Sequence, residues 1–176
     1  STQTDSEVAL LAYEEWGDSF LEKLQGMYAF SIYDAENKTV LLARDRIGIK
    51  PLYYARQGNV FLFGSEVKAI LEHPAYSRDL DREALLEYFT FQNFFTDRTL
   101  FKGVRMLPPG SVLSIREDST VQAVPHRYWD FHFQEPEQPQ SEHEYVEELD
   151  RLFRQAVNRQ MVSDVELGTY LSGGMD

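Results

Sequence analysis

Val165-Glu166-Leu167-Gly168-Thr169-Tyr170-Leu171-Ser172-Gly173-Gly174-Met175-Asp176 closes the sequence and decides its reading. Val165-Glu166-Leu167-Gly168 alternates apolar with polar or small side chains, and residues 165–171 are expected to form a strand with Gly168 inside it. The run then enters Ser-Gly-Gly. Successive glycines let backbone N–H groups converge into an anion-binding nest, and a following helix N-terminus adds positive dipole. The Ser172 hydroxyl supplies one more donor. Asp176 then serves either as a helix cap or as a carboxylate for a magnesium ion that bridges phosphates. The plainer alternative is an ordinary Gly-Gly turn followed by an Asp cap.

Immediately upstream, Ser141-Glu142-His143-Glu144 is a capping box. The helix it opens carries Tyr145, Leu149, Leu152, Phe153, Ala156, Val157 and Met161 on one stripe, and Ser163 or Asp164 is expected to break it. Residues 141–176 thus read as helix, strand and Gly-rich turn, the opening of an α/β nucleotide-binding unit. That opening alone leaves a strand without a sheet, so the sequence is expected to be a fragment of something longer. Residues 134–140 have no apolar side chain other than prolines and read as a linker.

Residues 1–133 follow a different pattern. Thr4-Asp5-Ser6-Glu7 is another capping box, and Val8, Leu11, Ala12 and Trp16 share one helical face that Gly17 ends. A short helix is expected over 18–25. Two hairpins follow, 27–33 with 39–43 and 52–56 with 60–63, each joined by a polar turn. Ser65 is expected to cap a helix over 66–71, and Asp81 another through 89. Pro108-Pro109-Gly110 turns into a strand over 111–116, and its partner is expected over 120–124. Helices and antiparallel pairs in blocks make this part α+β.

Composition narrows the function. The 176 residues hold 17 Lys+Arg against 29 Asp+Glu, a net charge of -12. The excess is even, nine bases against fifteen acids in 1–88 and eight against fourteen in 89–176. Neither half is a basic arm, which argues against nucleic acid as a partner. No apolar run approaches a membrane span. Cysteine is absent, which removes disulfides, thiolate zinc sites and a cysteine nucleophile from these residues. His73, His126, His132 and His143 have no metal-ligand spacing. Arg44-Asp45-Arg46 with Lys50 is a local basic cluster that reads as structural pairing rather than catalysis. Glu66 reads as a first-turn acid paired with a nearby Arg, and the Tyr and Phe side chains around 88–95 as core or interface.

Tyr170-Leu171-Ser172-Gly173-Gly174-Met175-Asp176 resembles the pyrophosphate-binding (PP-loop) signature S-G-G-x-D-S of the ATP-pyrophosphatases. Four further blocks, in order, resemble glutamine-hydrolysing asparagine synthetases. They are Thr4-Asp5-Ser6-Glu7-Val8, Leu24-Gln25-Gly26-Met27-Tyr28-Ala29-Phe30, Ala43-Arg44-Asp45-Arg46-Ile47-Gly48-Ile49-Lys50-Pro51-Leu52-Tyr53-Tyr54 and Phe63-Gly64-Ser65-Glu66-Val67-Lys68-Ala69-Ile70. The resemblance covers nearly the whole sequence. It implies that 1–133 are the latter part of an N-terminal-nucleophile (class II) glutaminase domain, with two antiparallel sheets between helices (αββα). It makes 134–140 a linker and 141–176 the start of an α/β PP-loop synthetase domain.

In such enzymes glutamine is hydrolysed by an N-terminal Cys, and ammonia passes through an internal tunnel. ATP with Mg2+ activates the side-chain carboxylate of aspartate, and asparagine, AMP and pyrophosphate result. The resemblance therefore implies ATP and Mg2+ as cofactors and glutamine and aspartate as substrates. It also implies a homodimer and a cytoplasmic location. Asp5 matches the aspartate that binds the α-amino group of glutamine, a charge-assisted contact. Leu171, Ser172, Gly173, Gly174 and Asp176 match the ATP and pyrophosphate loop, with Asp176 the candidate magnesium ligand. The nucleophilic Cys is expected upstream, and Ser1 reads as a fragment end, so these residues alone are expected to be inactive. Two alternatives remain open: a related amidotransferase with another carboxylate acceptor, and a non-catalytic derivative of the fold.

Overall fold

The computed structural model describes residues 4–117 and 124–173. Contacts divide the chain into two units, Ser1–Phe131 and His132–Asp176.

In the first unit, helix α1 spans Asp5–Trp16, and Thr4 Oγ1 accepts from the Glu7 N–H as the capping pattern requires. Gly17 ends it in the left-handed region. A 3-10 turn leads to the short α2, Phe20–Lys23. Strands β1 (Ala29–Asp34) and β2 (Thr39–Arg44) form the first hairpin. Strands β3 (Tyr53–Gln57) and β4 (Val60–Gly64) form the second. Then come α3 (Val67–Leu71), α4 (Arg82–Phe91), β5 (Val104–Met106), β6 (Ser111–Arg116) and β7 (His126–Arg127). One sheet runs β1-β2-β6-β7 and the other β4-β3-β5, and every pairing is antiparallel.

Period-2 alternation sorts the core into layers. Leu41 and Ala43 of β2 face Ala12, Phe20 and Leu21 of the helices, while Leu42 points the opposite way. There it meets Leu113 and Ile115 of β6, Leu52 and Tyr54, and Phe61 of β4. On the far side of the second sheet, Ala55 and Val104 pack with Ile70 of α3 and with Tyr76. The order is helix, sheet, sheet, helix, the αββα layering the resemblance implies.

Several expectations need correction. The apolar face of α1 buries only Ala12, and Val8, Leu11 and Trp16 stay exposed. Ser65 caps nothing: Glu66 stands at the N-cap of α3 without a side-chain cap bond, and its carboxylate pairs with Lys68 rather than an Arg. Strand β5 escaped sequence reading because three residues carry too little alternation. Phe89 and Phe95 are not core, being 75% and 73% exposed. The partner strand expected over 120–124 lies almost wholly outside the described residues.

In the second unit, α5 spans Glu142–Gln160 with both halves of its capping box made, Ser141 Oγ to Glu144 N–H and Glu144 carboxylate to Ser141 N–H. Its apolar stripe is exposed throughout. Residues 165–171 do not form the expected strand: among the described residues no neighbouring strand offers them a ladder, and alternation alone cannot make one. No described helix is long and apolar enough to cross a membrane.

Candidate functional site

A cleft of about 970 Å³ opens between the start of α1, the segment leading into β1, and the loop after β2. Asp5, Met27, Tyr28, Lys50 and Pro51 are among its lining residues. Asp5 is the first residue of α1, and its Oδ1 accepts from the Ser6 N–H at 2.9 Å. That local bond anchors the carboxylate beside the cleft. An anchored, exposed carboxylate beside an open cleft is suited to an ammonium group.

The loop behind Lys50 is built on two buried charged side chains. Asp45 is 1% exposed and Arg44 6%. Asp45 Oδ2 accepts from the N–H groups of Tyr28 (3.3 Å) and Lys50 (3.0 Å), and Oδ1 from those of Ile47 (3.2 Å) and Ile49 (3.0 Å). Burial pushes this carboxyl up, but the N–H groups around it outweigh burial and hold it below the usual carboxylate range. Arg44 donates to three carbonyls: Lys50 (2.7 Å), Leu107 (2.7 Å) and Gly48 (2.6 Å). Gly48 sits at φ +73°, and a Cβ there would lie 2.8 Å from Pro109 and 3.0 Å from the Arg44 guanidinium. The Tyr128 hydroxyl donates to the Arg44 carbonyl (2.8 Å) and lies 2.7 Å from the Tyr28 hydroxyl. Burial first, and the contact with Tyr28 second, push the Tyr128 phenol far above its ordinary value.

Of the PP-loop candidates, Leu171, Ser172 and Gly173 are exposed. Gly173 has φ +79°, a conformation L side chains rarely take. Gly174 and Asp176 lie outside the described residues. Among the described residues no cluster of His, Asp and Glu could hold a metal ion. Asp5 belongs to the first unit and the PP-loop candidates to the second. The sequence alone assigns Met27, Lys50 and Pro51 no part in the site. The segment leading into β1 brings Met27 to the cleft, and the turn at Gly48 brings Lys50 and Pro51.

Two antiparallel sheets between helical layers define an αββα domain, with the Asp5 carboxylate lining a side cleft. Residues 1–129 match the glutamine amidotransferase domain family, and the chain belongs to that family. Residues 148–176 match the asparagine synthase family. Among curated proteins the chain is 38% identical to asparagine synthetase (glutamine-hydrolysing) 3 of Bacillus subtilis, over 98% of this chain and 28% of that protein. It is 32% identical to a putative asparagine synthetase (glutamine-hydrolysing) 2 of Methanocaldococcus jannaschii, over 99% of this chain and 34% of the relative. It is also 32% identical to the amidase chyE of Penicillium rubens, over 98% of this chain and 25% of the relative. The chain therefore spans about a third or less of the length of these relatives.

Proposed function

We propose that these residues belong to a longer glutamine-dependent asparagine synthetase, which converts glutamine, aspartate, ATP and water into asparagine, glutamate, AMP and pyrophosphate. In this reading residues 1–133 are the latter part of the glutaminase domain, 134–140 the linker and 141–176 the start of the synthetase domain. The observation that carries it is Asp5: a cleft-lining carboxylate, set by the first turn of α1, on the amidotransferase fold.

Asp5 takes the α-ammonium of glutamine and so orients the amide deeper in the cleft. Charge supports this, since a carboxylate attracts an ammonium and repels an anion. Ser172 and Gly173, with Gly174, supply hydroxyl and backbone N–H donors suited to phosphate oxygens. Leu171 would lie toward the nucleotide, and Asp176 would be the residue to hold magnesium, which would neutralise phosphate charge. ATP bound there would supply an activated carboxylate, which a neutral amine can attack. The complete protein is a cytoplasmic homodimer, without nucleic acid or membrane partners.

The test uses the complete protein. Asp5→Ala should raise the KM for glutamine by about tenfold to a hundredfold, the loss expected for one charge-assisted contact. Ammonia-driven synthesis should stay unchanged. Equal loss of both activities would reject the assigned role.

A second reading keeps the chemistry and changes the acceptor. The similarity to an amidase named chyE favours it. Pyrophosphate release that depends on aspartate selects the first reading, and release without aspartate selects the second.

A further inference from the structure

We propose that the buried Arg44–Asp45 pair is the positioning device of the cleft, fixing two of its walls against each other. The inference rests on the reading of the cleft as the glutamine site, and it concerns residues that touch no substrate.

The bond pattern carries the argument. One oxygen, Asp45 Oδ2, accepts from Tyr28 on the first wall and from Lys50 on the second. The Asp45 N–H donates back to the Tyr28 carbonyl at 2.9 Å, closing a ring on the first wall. On the second wall, Arg44 Nε holds the Lys50 carbonyl whose N–H Asp45 already holds. Both polar backbone groups of Lys50 are therefore clamped by adjacent side chains of one dipeptide. Arg44 also holds the Gly48 carbonyl, fixing the left-handed turn that brings Lys50 and Pro51 to the cleft.

A purely structural role would direct these bonds to the sheet. Strand β2 is already paired along its length with β1 and β6, and it ends at Arg44. The Asp45 oxygens take backbone N–H groups at 28, 47, 49 and 50, all of them outside the named strands. Two of the three Arg44 bonds go to the same loop, and the third ties it to Leu107. Burial keeps water from competing, so the geometry is fixed before any ligand arrives.

The test is Asp45→Asn in the complete protein. Asparagine keeps the shape but turns one oxygen into a donor, so one pair of N–H groups meets a donor instead of an acceptor. The KM for glutamine should rise at least about tenfold, since small misplacements of a binding wall are costly in rate and affinity. The kcat for glutamine hydrolysis should stay within about threefold, and ammonia-driven synthesis should hold.

Hydrogen exchange supplies a readout that needs no substrate. Peptides covering 24–30 and 47–51 should lose protection, while those from β1, β2 and β6 keep theirs. Arg44→Lys is the second variant, because an ammonium cannot reach all three carbonyls along fixed directions, and it should give the same pattern more weakly. If Asp45→Asn does not fold, Arg44→Lys decides alone. A folded variant with unchanged exchange at 47–51 overturns the proposal, as does exchange lost equally across β2 and β6. Asp5→Asn, run alongside, separates the two ideas. An unchanged glutamine KM there rejects the reading of the cleft, while the exchange data still decide the clamp. A KM raised by Asp5→Asn but not by Asp45→Asn rejects the positioning role alone.

Discussion

Gly58 and Gly110 share φ +58° but not their surroundings, so the pair isolates the cost of a single methyl group. At Gly58 an added Cβ meets nothing within 4 Å. Alanine there faces only the left-handed backbone, about 1–2 kcal/mol, reduced by about 0.5 kcal/mol because alanine restricts the unfolded chain. A net loss of about 1 kcal/mol is expected. At Gly110 the same Cβ would lie 2.5 Å from the Trp129 carbonyl oxygen, a backbone atom that cannot rotate away. Relief requires moving the segment after β7, yet Gly110 anchors that segment. Its carbonyl accepts from Tyr128 (2.9 Å) and Trp129 (3.2 Å), and its N–H donates to the Asp45 carbonyl (2.8 Å). Loosening the two bonds to that segment at about 1 kcal/mol each brings Gly110→Ala to about 3 kcal/mol. Equilibrium urea unfolding followed by tryptophan fluorescence measures it, because Trp16 and Trp129 both lie in the first unit. The two variants should differ by about 2 kcal/mol at equal m. Losses equal within about 0.5 kcal/mol would refute the steric argument.

Two more expectations concern stability. The folded Tyr128 phenol titrates above its unfolded value, so the native state holds that proton longer than the unfolded chain does. Its contribution is present below the ordinary phenol range and is lost as pH rises beyond about 10. Tyr128→Phe should lower the urea midpoint at pH 7 and flatten its decline between about pH 9.5 and 11; an unchanged alkaline slope would reject the assignment. Asp81 caps α4 by accepting from the N–H groups of Glu83 and Ala84, both at 3.1 Å, so Asp81→Ala should lose about 1 kcal/mol. Asp81→Asn should recover most of that, and equal loss in both would place the effect on the nearby Arg98 instead.

Local chemistry was the most legible part of the sequence. Thr4, Asp81 and Ser141 each cap the helix expected of them, because a cap is decided within four residues. Both hairpins were readable for the same reason. Apart from the Ser65 cap, what failed needed distant partners. Residues 165–171 read as a strand, but a ladder is a property of two segments. The apolar face of α1 was legible as a pattern, but its burial depended on how much sheet lay beneath it. At the site, Asp5 came from a resemblance to a motif. The Asp45 carboxylate ties Lys50 and Tyr28 together at the cleft, joining positions far apart in sequence. The Arg44–Asp45 cluster was read as structural, and its bonds do run to backbone groups, but their convergence on two walls is visible only in three dimensions.

Strands β2 and β6 lie side by side, yet the chain leaves the first sheet at Arg44 and returns at Ser111. Everything between is one excursion that holds the whole second sheet, β4-β3-β5. The entropy of closing such an excursion grows only with the logarithm of its length, about 0.6 kcal/mol per doubling. Sequence length inside the excursion is therefore nearly neutral. The base is not: there Gly110 bonds Asp45 and Leu107 bonds both Leu52 and Arg44. Loops within the second layer can therefore lengthen or shorten at little entropic cost, provided that the neck and the packed strands are kept.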